Sequence, residues 1–171
     1  MLFEPSTVMI IAPTLNQSSE LFLKIRNMAE GNVTIASQIQ KATQTELILK
    51  NGSRTKSLPL GTDGKTIRGY SADDIILEEA QNIPDGVVNA VIIPMIASKG
   101  DKGKVIKIGT PYKRNSHFYR SAFVDPNYNL TKVTWEDGVK EGQYTLGFIE
   151  EQRKNITDIE FRSEYCGDFI D

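Results

Sequence analysis

The feature that most constrains this chain is a short apolar run that ends in two adjacent carboxylates. Ile75, Ile76 and Leu77 are followed at once by Glu78 and Glu79. A run of this length fits a buried strand of a parallel sheet, and nothing apolar follows that could offset two charges in a core. Because open α/β sheets bind ligands at the carboxyl ends of their strands, we expect both acids at a ligand-binding edge.

The chain before this run predicts a strand followed by a helix. Thr7–Ala12 is an apolar, partly β-branched run and predicts a buried strand. Apolar residues then recur at helical spacing over residues 21–29, with Asn16 and Ser18 as candidate N-caps and Gly31 as the stop. Strands that alternate with helices favour a mainly parallel sheet.

Other short segments continue the alternation. The patterns predict strands at 33–36, 45–49, 54–58, 105–108 and 130–135, and helices at 87–96, 116–123 and twice between 143 and 165. Asn51-Gly52 is a strong hairpin signal between two of these strands and adds some antiparallel character. Pro94 should interrupt or kink the first of the helices.

Composition and charge narrow the class of protein. With 171 residues, 39% hydrophobic and 25% charged, the chain fits one domain, 1–171, with a sizeable core. Its net charge of −2 argues against a uniformly basic nucleic-acid coat. A single cysteine excludes an internal disulfide framework. No apolar run approaches the roughly 20 residues that cross a bilayer, so we expect a cytoplasmic protein without a membrane partner.

Charge is unevenly distributed along the chain. Residues 99–120 carry seven Lys or Arg and one acid, a local net charge of +6. Residues 136–171 carry ten acids and four bases, a local net charge of −6. The basic stretch could contact phosphates, but such runs are more often solvated loops, and both interpretations stay open.

Residues 59–66 look like a phosphate-binding loop only at first sight. Pro-Leu-Gly-Thr-Asp-Gly-Lys-Thr ends as GxxxxGK[ST] does, but Pro59 takes the place of the first glycine and lacks a backbone N–H. A P-loop must also open a helix. Gly69 follows Lys65 by only four residues and a strand begins near Asp74, so no helix fits. The sequence predicts an ordinary loop here.

Several stretches together resemble the ATPase domain of the large terminase subunit of tailed phages and proviruses, the motor that packages DNA. Residues 66–71 leading into 75–80 are similar to its Arg-Gly segment and Walker B element. Residues 105–111, Val-Ile-Lys-Ile-Gly-Thr-Pro, resemble its coupling motif, and residues 161–169 resemble the segment that closes the ATPase domain. Residues 8–17 are a weaker match. The resemblance implies an α/β fold of the P-loop NTPase type, with a mainly parallel three-layer sheet, incomplete at its N-terminal P-loop unit.

The resemblance implies roles for four residues. Glu78, where the family usually has Asp, would hold Mg²⁺, and Glu79 would position the attacking water. Thr110 would be the coupling residue at a strand tip, and Arg68 would contact phosphate or a neighbouring subunit. Structural alternatives stay open for all four. Glu78 and Glu79 could be an exposed pair in a turn, Thr110 could simply end a strand before Pro111, and Arg68 could be a surface arginine beside a turn.

Cofactors and partners also follow from the resemblance. It implies ATP and Mg²⁺ as cofactors, and double-stranded DNA, the procapsid portal and the small terminase subunit as partners, in the host cell cytoplasm. The P-loop unit would lie upstream of Met1 and the nuclease domain downstream of Asp171, so we interpret the chain as the C-terminal portion of a terminase-like ATPase domain. Without a P-loop lysine we expect little or no ATPase activity from this chain alone.

Other interpretations stay open. The chain could be a non-catalytic remnant or interaction module that keeps the fold, or a fragment of a helicase-type ATPase, although those typically lack the Gly-Thr-Pro strand end. In either case an exposed sheet edge should attract a P-loop-bearing chain or a second copy. His117 has no metal-binding neighbours in sequence, Cys166 lacks an activating base, and Trp135 is more often a core residue than a base-stacking platform.

Overall fold

The computed structural model describes residues 4–61 and 63–170, which fall into two compact units that meet in sequence between Ile108 and Gly109. The first unit holds a six-stranded sheet, and the second is helical. None of the helices in these ranges is long and apolar enough to cross a membrane.

The first unit contains the following elements: β1 Thr7–Ala12, α1 Leu15–Gly31, α2 Val33–Ala36, β2 Ile39–Ala42, β3 Glu46–Leu49, β4 Arg54–Pro59, β5 Asp74–Leu77, α3 Asp85–Val87, α4 Ile93–Ile96 and β6 Lys104–Lys107. Short 3-10 turns span Lys65–Ile67, Ala80–Asn82 and Ala97–Lys102, and a π-helical stretch, Val88–Ile92, joins α3 to α4. The helix predicted at 87–96 is therefore interrupted by the π-helical stretch, and Pro94 lies in the first turn of α4.

The strand order is β2-β3-β4-β1-β5-β6. Strands β4, β1, β5 and β6 run parallel, whereas β3 pairs antiparallel with both β2 and β4. The β3–β4 hairpin turns at Asn51-Gly52, where Gly52 has a φ of 88°. The predicted mainly parallel α/β sheet is therefore confirmed, including its antiparallel hairpin.

The core of this unit is built around β1. Alternate residues of a strand point to opposite faces. On one face, Ile10 packs with Phe22, Ala29 and Leu47 and has no exposed surface. The β1 residues of opposite parity are also buried, as they must be in a central strand of a parallel sheet: Met9 and Ile11.

Helix α1 begins earlier than the sequence predicts. Thr14 is its N-cap: the Thr14 side chain accepts a hydrogen bond from the backbone N–H of Gln17, and the Gln17 side chain accepts one from the N–H of Thr14. The prediction of Asn16 or Ser18 as the cap is therefore wrong. Ser18 is instead buried, and its hydroxyl accepts a hydrogen bond of 2.9 Å from the hydroxyl of Ser57 on β4.

Two predicted strands are absent from the described structure. Residues 33–36 form the short helix α2, because the Asn32 side chain caps it by accepting a hydrogen bond from the N–H of Ile35. Residues 130–134 belong to no strand, and a helix begins at Trp135. Thr134 and Asp137 form a capping box at the N-terminus of this helix. In both places local capping overrides the β-branched composition. Strand β2 was not predicted.

The second unit contains four helices within the described residues: α5 His117–Phe123, α6 Trp135–Lys140, α7 Leu146–Asn155 and α8 Asp158–Glu164. The predicted helix near 116–123 and the two predicted between 143 and 165 are confirmed. Aromatic rings hold the unit together in two groups. The rings of Tyr119 and Phe123 pack on Phe169, and those of Phe148 and Phe161 pack on Tyr165.

Candidate active site

The two adjacent acids lie at the carboxyl end of β5, as predicted. The parallel ladder continues past the strand: the N–H of Glu78 donates to the carbonyl of Ile11 at 2.9 Å, and the N–H of Ala80 donates to the carbonyl of Ile108 at 2.9 Å. Glu78 and Glu79 are thus held between the ends of β1 and β6. Both side chains are half-buried. The pair is fixed at the edge where parallel sheets bind ligands.

Glu79 has an unusual backbone conformation. Its φ of 54° and ψ of 43° place it in the left-handed region, and it is the one non-glycine residue with positive φ among the described residues. One carboxylate oxygen, Oε2, accepts hydrogen bonds from the side-chain amides of Gln81 at 2.8 Å and Asn82 at 3.2 Å. Strained residues of this kind persist where surrounding contacts fix them, and they cluster at functional sites.

The pKa of the Glu78 carboxyl is shifted upwards. Burial raises the pKa of its carboxyl above the usual value, the negative charge of Glu79 raises it further, and Lys24 acts in the opposite direction. A bound cation would relieve both the burial penalty and the repulsion. Two carboxylates with solvent access fit Mg²⁺, which binds through one or two carboxylates together with waters and substrate phosphates.

Arg68 lies in the same unit but is not brought to the acids. It follows the Lys65–Ile67 turn, is exposed, and precedes Gly69, whose φ is 86°. Within the described residues it forms no hydrogen bond or ion pair with Glu78 or Glu79. Its predicted contact with phosphate or a neighbouring subunit stays a prediction.

The loop at 59–66 is closed by its own side chains. The Thr66 hydroxyl donates to the carbonyls of Pro59 at 2.9 Å and Leu60 at 3.1 Å, and Lys65 forms an ion pair of 2.7 Å with Asp63. Only the three-residue Lys65–Ile67 turn follows, and Thr62 lies outside the described residues. The geometry agrees with an ordinary loop, since no helix N-terminus is available to face a phosphate.

Thr110 belongs to the second unit, just after β6. The next two residues are fixed there: the carbonyl of Pro111 accepts a hydrogen bond from the Ser163 hydroxyl, and that of Tyr112 accepts one of 2.8 Å from the N–H of Ile170. The coupling role of Thr110 stays a prediction. In the same unit, burial raises the pKa of the Cys166 thiol, which disfavours the reactive thiolate.

Gln81 and Asn82 were not predicted as site residues. The sequence has two amide side chains shortly after the acids, with Ala80 between Glu79 and Gln81. The amides of Gln81 and Asn82 can donate hydrogen bonds to the Glu79 carboxylate only if the chain makes a tight turn after Glu79. The Ala80–Asn82 turn provides it, with the N–H of Asn82 donating to the carbonyl of Glu79 at 2.9 Å.

The mainly parallel α/β sheet, with paired acids at the carboxyl end of the inner strand β5, agrees with a fold of the P-loop NTPase type. The large terminase ATPase domain of Thermus phage P74-26 has this fold: it superposes with a TM-score of 0.74 at 21% identity, over 98% of this chain and 78% of that one. The large terminase of a second, thermophilic bacteriophage superposes with a TM-score of 0.70 at 12% identity, over 94% and 40% of the two chains.

Sequence comparison identifies the family. The family model for the N-terminal part of the T4-like-virus-type terminase large subunit matches residues 1–171, and the chain belongs to this family. The chain is 27% identical to the terminase large subunit of Escherichia phage T5, over 98% of its own length. It is 26% identical to that of Thermus phage G20c, over 94% of its length. It spans 38% and 39% of these two relatives.

Proposed function

We propose that this chain is part of a DNA-packaging motor ATPase in which Glu78 holds Mg²⁺ and Glu79 positions the attacking water. The observation that carries the proposal is the acid pair at the end of β5, with Glu79 in a strained conformation fixed by two amides. Structures of the thermophilic bacteriophage's large terminase with ATP-gamma-S and with ADP support nucleotide as the ligand of this fold.

The two acids would divide the work between them. Mg²⁺ would neutralise charge that develops on the transferred phosphoryl group. Glu78 would supply an oxygen ligand, directly or through water, at the half-buried end of β5. The hydrogen bonds from Gln81 and Asn82 both go to Oε2 of Glu79. The other carboxylate oxygen, Oε1, is therefore available to accept a hydrogen bond from a water molecule.

The site needs a phosphate-binding element, and we infer that the loop at 59–66 is not that element. Lys65 is paired with Asp63, and Pro59 offers no N–H. We infer that a P-loop-bearing segment supplies it by pairing with β6, the last strand of the sheet. The apolar side chains there are open to solvent, with Ile106 49% and Ile108 44% exposed, whereas Ile10, in the same row of the sheet, is fully buried. A strand and helix would cover both the edge and this face.

Membership of the family supports a proposal for partners and location. We propose double-stranded DNA, the procapsid portal and the small terminase subunit as partners of the assembled motor, in the host cytoplasm, with Thr110 coupling hydrolysis to movement. Arg68, exposed beside a glycine of positive φ, would contact phosphate or a neighbouring subunit. The alternative is a non-catalytic interaction module, and it is supported by the loop at 59–66, whose one lysine, Lys65, is paired with Asp63.

The test is ATP hydrolysis with Mg²⁺ by the chain alone and by the chain co-expressed with a strand–helix segment that carries GxxxxGK[ST]. We expect no turnover alone, turnover with the segment, and a loss of about 10²-fold or more in Glu79→Gln. The matched control is Glu20→Gln, an exposed acid on α1. Turnover that Glu79→Gln leaves intact would contradict the site, and no turnover with the segment would favour the non-catalytic module.

A further inference from the structure

The second unit contains a cleft of about 210 Å³ that the proposed function does not use. Three aromatic residues and three acids are among the residues that line it: Trp135, Tyr144, Tyr165, Asp137, Glu141 and Glu164. All come from helices α6 and α8, the residue after α8, or the segment between α6 and α7. We call this feature the acidic aromatic cleft.

The rings of Tyr144 and Tyr165 are fixed by packing. Tyr144 lies against Gly138 of α6, so closely that a Cβ added there would be 2.5 Å from the ring carbon Cδ2. On its other sides Tyr144 stacks on Phe148, with ring centroids 5.7 Å apart, and meets Tyr165 edge-on at 6.3 Å. The backbone N–H of Trp135 donates to the backbone carbonyl of Tyr165 at 2.7 Å, which fixes the start of α6 beside Tyr165. The mid-helix glycine is thus explained by the close approach of Tyr144.

The carboxylates of the cleft carry charge without a cationic partner. Asp137 is fixed by the capping box, where it accepts a hydrogen bond of 2.9 Å from the N–H of Thr134. Glu141 and Glu164 are exposed, and no side-chain hydrogen bond or ion pair of theirs is found within residues 4–61 and 63–170. The segment from 136 to 171, which supplies most of the lining, has a net charge of −6.

Aromatic rings and carboxylates both attract cations. A compact, strongly hydrated ammonium gains less from apolar walls than a planar guanidinium, which stacks on rings and pairs with carboxylates through two hydrogen bonds. Nucleic acid is disfavoured, because its phosphates would be repelled by the acids. We propose that the acidic aromatic cleft binds an arginine side chain of a protein partner.

Trp135 makes the proposal directly testable, because it is the only tryptophan of the chain. The full chain is titrated with the blocked peptide acetyl-Gly-Arg-Gly-amide while Trp135 emission is followed, with calorimetry in parallel. The citrulline peptide has nearly the same shape without the charge, and the lysine peptide has the charge without the plane. We expect saturable binding of the arginine peptide, with the lysine peptide weaker and the citrulline peptide about tenfold weaker or more.

Variants distinguish a site from a general negative field. Glu141→Gln and Glu164→Gln should each weaken binding about threefold to tenfold, and Gly138→Ala should weaken it by displacing Tyr144. Glu150→Gln, an exposed acid on α7 that does not line the cleft, should leave binding unchanged. Equal binding of the citrulline peptide, an equal loss in Glu150→Gln, or no binding by emission and calorimetry would each overturn the proposal.

Discussion

At the level of single residues, the backbone conformation of Glu79 lowers the stability of the fold while its carboxylate is held in a fixed position. A non-glycine residue in the left-handed region costs about 1 kcal/mol or more, and here the cost falls on the residue whose carboxylate is fixed by Gln81 and Asn82. We therefore expect Glu79→Gly to raise the free energy of unfolding by about 1 kcal/mol while removing any hydrolysis. Urea denaturation measures the first effect. A clear loss of stability would show that the two amide bonds outweigh the strain.

The buried end of β5 gives a pH prediction. Because the pKa of Glu78 is raised in the folded state, the stability it contributes is present below the unfolded pKa, about 4.3, and is lost as pH rises through the folded value. Glu78→Gln should match the parent chain near pH 4 and be more stable than it near neutral pH, by less than about 1 kcal/mol for this half-exposed side chain. Thermal unfolding across this pH range measures the difference.

Glu46 provides the control of opposite sign. Its hydrogen bond from Lys41, at 2.9 Å, lowers the pKa of its carboxyl, so its stabilising contribution is present above the unfolded pKa and is lost as pH falls through the folded one. Glu46→Gln should therefore be less stable than the parent chain near neutral pH, with the difference shrinking in acid. The same direction of change in both variants would contradict the assignment for Glu78.

At the level of elements, the start of α1 is a sharp test of the capping geometry. Thr14 makes the capping box with Gln17, whereas Asn16 lies inside the helix. Thr14→Ala should lower the free energy of unfolding by about 1 kcal/mol, and Asn16→Ala should change it little. Chemical denaturation of both variants measures this. If Asn16→Ala were the more damaging change, the helix would begin where the sequence alone places it.

Some helices and strands could be predicted from the sequence and others could not. Strands β1 and β5 and the hairpin at Asn51-Gly52 could be predicted, because continuous apolar runs and a turn dipeptide leave few alternatives. Residues 33–36 could not, because the helix there depends on a hydrogen bond from Ile35 to the side chain of Asn32. For the candidate site, the acid pair was predictable from the end of an apolar run. The strained conformation of Glu79 and the amides that hold it depend on a turn geometry that composition does not encode.

At the level of the whole chain, the open side of β6 should govern association. An edge strand with exposed apolar side chains is a template for pairing with another chain. Without a P-loop-bearing segment, we expect two copies to pair there, so the sedimentation coefficient should rise with concentration. Ile106→Lys should reduce this association about tenfold or more, whereas Met28→Lys, at an apolar α1 position that is 76% exposed, should not. A monomer at every concentration would contradict the expectation.

The order of the strands has a consequence for how the protein is made. Strand β1 lies in the middle of the sheet, yet its partners come much later in the chain: Thr7 pairs with Arg54, and Val8 with Asp74. During synthesis this strongly apolar strand must wait, unpaired, until two later segments have left the ribosome. The β3–β4 hairpin, made from neighbouring residues, can form sooner. The N–H of Ala80, just after the acid pair, donates to the carbonyl of Ile108 beyond β6, so the end of β5 is held on both sides only once β6 has emerged.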